Sequence, residues 1–107
     1  MSIPMLADIS TNIARSYGAL ITEGPDAGIP MRATYIIDDK GVIRHMQCND
    51  LPVGRNVEEI LRLVQAFQHH DKNPNEVMPC EWKPGKATMA PNHNAAETVK
   101  YFDEANK

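Results

Sequence analysis

The feature that most constrains the fold is a pair of strand-like segments joined by a short turn. Residues 31–37 are rich in β-branched and aromatic side chains, and residues 42–48 form a second segment of strand character. Residues 38–41, with the sequence Asp-Asp-Lys-Gly, have the composition of a tight turn. The sequence therefore predicts an antiparallel β-hairpin. Because two strands alone form a marginal sheet in water, we expect helices or a second chain to cover it.

Helices are predicted on both sides of this hairpin in the sequence. Residues 8–17 carry apolar side chains at helical spacing, with Asp8 or Ser10 able to cap the first amides. After the hairpin, Asn56 and Glu59 match a capping box, with Asn in place of the usual Ser or Thr. They open a stronger helix, which we expect to cover a sheet with its apolar face. That face consists of Val57, Ile60, Leu61, Val64 and Phe67.

The composition changes near residue 70, where aliphatic side chains become rare and Asp, Lys, Asn, Pro and Gly dominate. Only residues 95–105 regain weak helical character. With 107 residues and 42% hydrophobic content, the chain has the size of one small domain. We therefore predict an α/β fold, with a partial domain over residues 1–70 and an extended C-terminal arm over residues 71–107.

The arm carries a cysteine in an unusual setting. Cys80 follows Pro79 and precedes Glu81, and none of its neighbours continues a buried helix or strand. The thiol is therefore predicted to be reachable, which favours redox chemistry over packing. Its ionisation stays open, because Glu76 and Glu81 oppose a thiolate while Lys83 favours it.

Charge and composition exclude several classes of protein. The net charge is -3, and the basic residues are scattered among the acidic ones, so a nucleic-acid partner is not expected. The start lacks a basic leader, and no apolar run is long enough to span a membrane, so we predict a soluble cytoplasmic protein. The four histidines lack ligand spacing, which predicts neither a metal nor a cofactor. Cys48 is predicted to be a core or interface residue, and a structural disulfide is not expected.

Several short motifs, in this order along the chain, resemble the typical 2-Cys peroxiredoxins. They are residues 3–8, 13–18, 36–38, 49–55 and 82–85. The resemblance spans nearly the whole chain and implies the C-terminal portion of a thioredoxin-like fold. It also implies an antioxidant peroxidase. In that family a peroxidatic cysteine attacks peroxide, becomes a sulfenic acid, and is resolved as a disulfide by a cysteine on the partner subunit's arm.

The resemblance implies roles for three residues of this chain. Arg32 matches the arginine that holds the peroxidatic thiolate and the peroxide, and Arg55 matches a supporting arginine. Most relatives carry the resolving thiol in a Val-Cys-Pro segment, where this chain has Val-Met-Pro followed by Cys80. The Pro-Cys order resembles a known variant of that motif. Cys80 is therefore the candidate resolving cysteine.

One departure from the family changes the functional expectation. The Pro-x-x-x-Thr-x-x-Cys segment that carries the peroxidatic cysteine is absent from this sequence. We therefore expect the chain alone to be inactive as a peroxidase. For a complete protein, the resemblance implies a hydroperoxide substrate, a thioredoxin-like reductant and a homodimer or higher oligomer. The alternatives are a non-catalytic self-association module that pairs through an exposed strand edge, or a truncated gene product.

Overall fold

The computed structural model describes residues 2–91 and 96–105. Over these residues the elements are α1 (Asn12–Ser16), β1 (Arg32–Ile37), β2 (Ile43–Asn49), α2 (Val57–Lys72) and α3 (Ala96–Ala105). The predicted order of helix, hairpin and helix is confirmed, as is the weak helix near the C-terminus. The chain divides into two compact units, Met1–Arg55 and Asn56–Lys107. This division describes compactness and does not test the predicted boundary between domain and arm at residue 70, which stays a prediction.

The first unit contains the hairpin, in which β1 and β2 pair antiparallel. The carboxylate of Asp38 closes the turn, since its Oδ1 accepts hydrogen bonds from the backbone N–H of Lys40 at 2.9 Å and of Val42 at 3.0 Å. Gly41 has a φ of 78°, a left-handed conformation that a residue without Cβ adopts easily. The register shifts between Ile36 and Ile37, an irregularity that the alternation of the sequence did not indicate.

Helix α1 is shorter than predicted, because it begins at Asn12 and not near Asp8. The predicted cap is nevertheless present. The two carboxylate oxygens of Asp8 accept hydrogen bonds from the backbone N–H groups of Ile13 at 3.0 Å and Ala14 at 2.8 Å. Thr11 has a φ of 64°, so the backbone turns out of the right-handed helix immediately before α1. Asp8 therefore caps the helix from a preceding loop.

The second unit begins with α2, whose N-terminus is capped as predicted. The side chain of Asn56 accepts a hydrogen bond from the backbone N–H of Glu59 at 3.3 Å. The predicted apolar face is only partly covered, since Val57 is 80% exposed and Leu61 is 54% exposed. Among the described helices, none combines the length and the apolar character needed to cross a lipid bilayer.

Few side chains are fully buried in the described part of the chain. The buried hydrophobic residues there are Ala19 in the first unit and Trp82 in the second. Many large apolar side chains remain exposed. Exposed apolar surface favours association with a further protein surface, because burying it in a contact removes it from water.

Candidate functional site

Cys80 lies on a turn at the surface of the second unit and is exposed. The turn is closed by a backbone hydrogen bond from the N–H of Trp82 to the carbonyl of Pro79 at 3.1 Å. Glu81 has a φ of 63°, which is uncommon for a residue with a side chain and sharpens the turn. The backbone therefore presents the thiol outward, as the sequence predicted.

The neighbouring Trp82 anchors this turn in the second unit. Its side chain is 2% exposed, and its indole Nε1 donates a hydrogen bond to the carbonyl of Lys86 at 3.2 Å. Its ring lies 5.3 Å from the ring of His69, with the planes tilted by 47°. Two backbone hydrogen bonds between Val77 and Met89, at 2.6 and 2.9 Å, close the surrounding loop. The buried Trp82 thus holds the turn that presents Cys80, two positions earlier, at the surface.

Arg62 reaches this turn from α2. Its Nη1 donates to the carbonyl oxygen of Trp82 at 2.9 Å, while its Nε and Nη2 donate to the two carboxylate oxygens of Glu59, each at 2.9 Å. The hydrogen bond to Glu59 raises the pKa of Arg62, and the negative charges of Glu59 and of an ionised Cys80 act in the same direction. A charged cation is therefore bonded to the turn that carries the candidate thiol.

Sequence reasoning missed Arg62. Its spacing from Glu59 is that of an ion pair on a helix surface, which the sequence can indicate. The bond to Trp82 joins residues that are 20 positions apart, and no local pattern predicts it.

Cys80 borders two open clefts in the second unit. One has a volume of about 510 Å³ and the other of about 590 Å³. The first is lined by Pro79, Cys80, Glu81, Trp82, Lys86, Ala87, Tyr101 and Glu104. The second is lined by Glu59, Arg62, Cys80, Glu81, Lys83 and Lys86. Charged side chains of both signs therefore surround the thiol, while the clefts leave it open to a reaction partner.

Glu76 does not line either cleft, although the sequence suggested that it acts on the thiol. Its carboxylate accepts a hydrogen bond from the hydroxyl of Thr88 at 2.6 Å and lies 3.5 Å from Nε2 of His69. The hydrogen bond from Thr88 lowers the pKa of Glu76, and His69 adds to this. Of the three charged neighbours considered from the sequence, Glu81 and Lys83 line a cleft with Cys80.

Each of the two predicted arginines in the first unit donates a hydrogen bond to a backbone carbonyl. The Nε of Arg32 donates to the carbonyl oxygen of Leu51 at 2.6 Å, and the Nε of Arg55 donates to the carbonyl oxygen of Ala33 at 3.1 Å. Ala33 directly follows Arg32 in β1. Both arginines are exposed, and neither forms an ion pair within the described residues. Their terminal amino groups are therefore available to an anion.

Cys48 is exposed in the described chain, with its Sγ at 3.9 Å from Sδ of Met31. Of the two positions predicted for Cys48, the core position is wrong, because the residue is exposed. The interface position stays a prediction. Cys48 and Cys80 are both free thiols. No group of three or more potential metal ligands occurs within residues 2–91 and 96–105, and His93 lies outside those ranges.

Comparison with known protein families accounts for most of the chain. Residues 1–46 match the AhpC/TSA family, and residues 66–105 match the C-terminal domain of 1-Cys peroxiredoxin. The chain is 52% identical over 107 residues to Peroxiredoxin TSA1 of Saccharomyces cerevisiae, covering all of this chain and 52% of the relative. It is 49% identical over 106 residues to Peroxiredoxin-4 of Bos taurus, covering 99% of this chain and 36% of the relative.

Solved structures agree with the sequence comparison. The reduced 2-Cys peroxiredoxin of Plasmodium vivax matches with a TM-score of 0.79 and 36% identity, over 92% of this chain and 47% of that one. A yeast mitochondrial 1-Cys peroxiredoxin matches with a TM-score of 0.66 and 28% identity, over 85% of this chain and 45% of that one. These matches confirm the predicted α/β class with a thioredoxin-like fold. The chain spans about half the length, or less, of the relatives it matches. It therefore belongs to the peroxiredoxin family.

Proposed function

We propose that this chain supplies the resolving half of a thiol-dependent peroxidase, with Cys80 as the resolving cysteine. In the first step a peroxidatic thiolate, from a segment that this sequence does not contain, attacks the hydroperoxide. The peroxide bond breaks, the cysteine becomes a sulfenic acid, and an alcohol or water leaves. The thiolate of Cys80 then attacks the sulfenic sulfur, a disulfide forms, and the hydroxyl group leaves as water. A thioredoxin-like reductant returns the disulfide to two thiols.

The exposure of Cys80 on an anchored turn is the observation that supports this role most directly. A thiol that must meet a sulfenic acid on another segment has to be reachable by a partner as large as a protein. The turn from Pro79 to Trp82 gives the thiol that access, while the buried indole holds the turn in place. An inert structural thiol, in contrast, is usually buried among apolar side chains.

Arg32 and Arg55 are proposed to bind the anionic groups of the first step. The Nε of each donates a hydrogen bond to a backbone carbonyl, at Leu51 and Ala33 respectively, which restrains its guanidinium. The remaining amino groups suit a thiolate or a peroxide oxygen, because charge-assisted hydrogen bonds to anions are stronger than neutral ones. The family position of both residues supports this assignment.

The test is the capture of a sulfenic acid by this chain. Peroxiredoxin TSA1 with its own resolving cysteine replaced by serine is treated with one equivalent of hydroperoxide in the presence of the chain. We expect a mixed disulfide, visible on a non-reducing gel and mapped by mass spectrometry to Cys80. Cys80→Ser should abolish it, while Cys48→Ser is the matched control because it removes the other exposed thiol.

Two results would contradict the proposal. One is a mixed disulfide that forms equally well with Cys80→Ser, and the other is the absence of any mixed disulfide when the partner's sulfenic acid is demonstrably present. The predicted inactivity of the chain alone has a separate test. Sustained, Cys80-dependent peroxide consumption by the chain with a thioredoxin system would show that it needs no peroxidatic partner.

Self-association is a second candidate function, favoured by the apolar surface of the hairpin. The described sheet has two strands, so each strand keeps an unpaired edge there. Met46 is 69% exposed, and Ile37 and Ile43 on the same hairpin are also exposed. Size measurements over a dilution series test this function. A concentration-dependent dimer supports it, and a monomer at every concentration rejects it.

A further inference from the structure

Arg62 joins α2 to the turn that carries Cys80. Its Nη1 bonds the carbonyl oxygen of Trp82, while Glu59 engages its other two donor groups with both carboxylate oxygens. A planar guanidinium held by such a fork has one orientation, which a flexible ammonium group does not share. The position of the Trp82 carbonyl, and with it the turn, is therefore tied to the helix through Arg62.

Arg62 also places a positive charge in the cleft that Cys80 borders. Arg62 and Cys80 line the same cleft, together with Lys83 and Lys86, and the acidic groups there are Glu59 and Glu81. The hydrogen bond to Glu59 raises the pKa of Arg62 first, and the charge of an ionised Cys80 contributes further. An anionic reagent that enters this cleft is therefore attracted by the guanidinium.

We propose that Arg62 is a positioning residue for Cys80, which fixes the turn through the Trp82 carbonyl and stabilises negative charge on the sulfur compound that the thiol attacks. The inference rests on the proposed resolving role of Cys80. In that role the attacked sulfur belongs to a neutral sulfenic acid, whose hydroxyl group leaves as the S–O bond breaks. A cation beside the thiol stabilises the negative charge that develops on the leaving oxygen. Glu59 orients this cation.

The test compares two disulfide reagents in a Cys48→Ser background, where Cys80 is the remaining thiol. One reagent is dithiobis(nitrobenzoate), a dianion, and the other is dipyridyl disulfide, which is neutral. In each reaction the thiolate of Cys80 attacks one sulfur, the reagent's S–S bond breaks, and the other aryl group leaves as a thiolate. Changes in exposure or in thiolate fraction affect both rate constants alike, so the ratio of the rate constants reports charge at the site.

Arg62→Gln is expected to lower the ratio of the dianionic to the neutral rate constant by about threefold to tenfold, as the loss of one nearby charge implies. Arg62→Lys should restore most of the ratio because it keeps the charge. Hydrogen exchange of the Trp82 amide should accelerate in both variants, since lysine cannot form the fork. Lys72→Gln is the matched control. It removes one positive charge from the same helix about 15 Å further along, beyond the range of unscreened attraction.

A ratio that changes by less than about twofold in Arg62→Gln overturns the inference. An equal fall of the ratio in Lys72→Gln overturns the inference too, because the ratio would then report the net charge of the protein and not the position of Arg62. If Arg62→Gln does not fold, Arg62→Lys still decides the positioning part, and unchanged exchange at Trp82 rejects it. The reagents require no peroxidatic partner. The capture test can therefore yield no mixed disulfide while Arg62→Gln still lowers the ratio of rate constants as expected. That combination counts against the resolving role of Cys80 and not against the positioning role of Arg62.

Discussion

Replacing Trp82 with alanine is predicted to release the turn that carries Cys80. The indole is 2% exposed, packs against the ring of His69 and donates a hydrogen bond to the carbonyl of Lys86. Few other side chains in the described chain are buried to this degree, so no nearby core compensates for its loss. The substitution should therefore act on the whole loop that Val77 and Met89 close.

The expected magnitude follows from the buried surface. A fully buried tryptophan removes up to about 250 Å² from water, which at about 25 cal/mol per Å² gives an upper bound of about 6 kcal/mol. The unfolded chain already buries part of this surface, which reduces the value to about 4 kcal/mol. That lies within the range of about 3–5 kcal/mol for aromatic-to-alanine changes in protein cores.

Hydrogen exchange at Val77 and Met89 measures this effect locally. Their amides are bonded to each other's carbonyl groups, so they exchange when the loop opens. A loss of about 4 kcal/mol corresponds to a decrease in protection of about two to three orders of magnitude. The measurement follows the loop itself and does not depend on the global unfolding transition.

Trp82→Phe is the matched variant, since it keeps an aromatic ring and loses the N–H donor. We expect it to cost about 1–2 kcal/mol, between the wild type and Trp82→Ala. If Trp82→Ala lowers the protection of both amides by less than about tenfold, the burial of the indole does not hold the turn. Trp82 would then not anchor the turn that carries Cys80.

The remaining predictions concern the two units separately. Asp8→Ala should destabilise α1 by about 1 kcal/mol through loss of its cap, and the amide of Ala14 should exchange about fivefold faster; unchanged exchange would reject the cap. The folded pKa of Glu76 lies below its ordinary 4.5. The carboxylate therefore stabilises the fold fully above pH 4.5, and this contribution is lost as the pH falls from 4.5 through the folded pKa. Glu76→Gln should therefore show a smaller loss of stability in denaturation between about pH 6 and about pH 3 than the wild type. Gly41 has a φ of 78°, so Gly41→Ala should lower the free energy of unfolding by about 1–2 kcal/mol. Gly54 lies outside the left-handed region, and Gly54→Ala should not have this cost. Equal denaturation midpoints for the two variants would contradict the prediction.

Local sequence signals predicted the elements well where short-range chemistry determines them. The turn at Asp38 and Gly41 and the cap at Asn56 use hydrogen bonds or backbone angles that depend on residues a few positions apart. The start of α1 was predicted too early, because apolar spacing continues through Thr11 while its backbone does not remain helical. Apolar periodicity indicates which side chains share a helix face. It does not indicate that one residue, here Thr11, adopts left-handed backbone angles.

The candidate site was predictable only in part. The access of Cys80 follows from its polar, proline-containing neighbourhood, and Arg32 and Arg55 follow from family motifs. The surroundings of the thiol required the structure. Glu76 bonds to Thr88, twelve residues away in the chain, and so does not line the Cys80 clefts.

The sequence by itself determined the family, the hairpin, the main helix and the exposed thiol of Cys80, because each depends on residue types within short segments. The tertiary structure decided which charges face that thiol and what holds its turn. Arg62 comes beside the turn because the chain after α2 folds back and buries Trp82 against the same helix. Such contacts join distant positions, and their partners depend on how the chain packs.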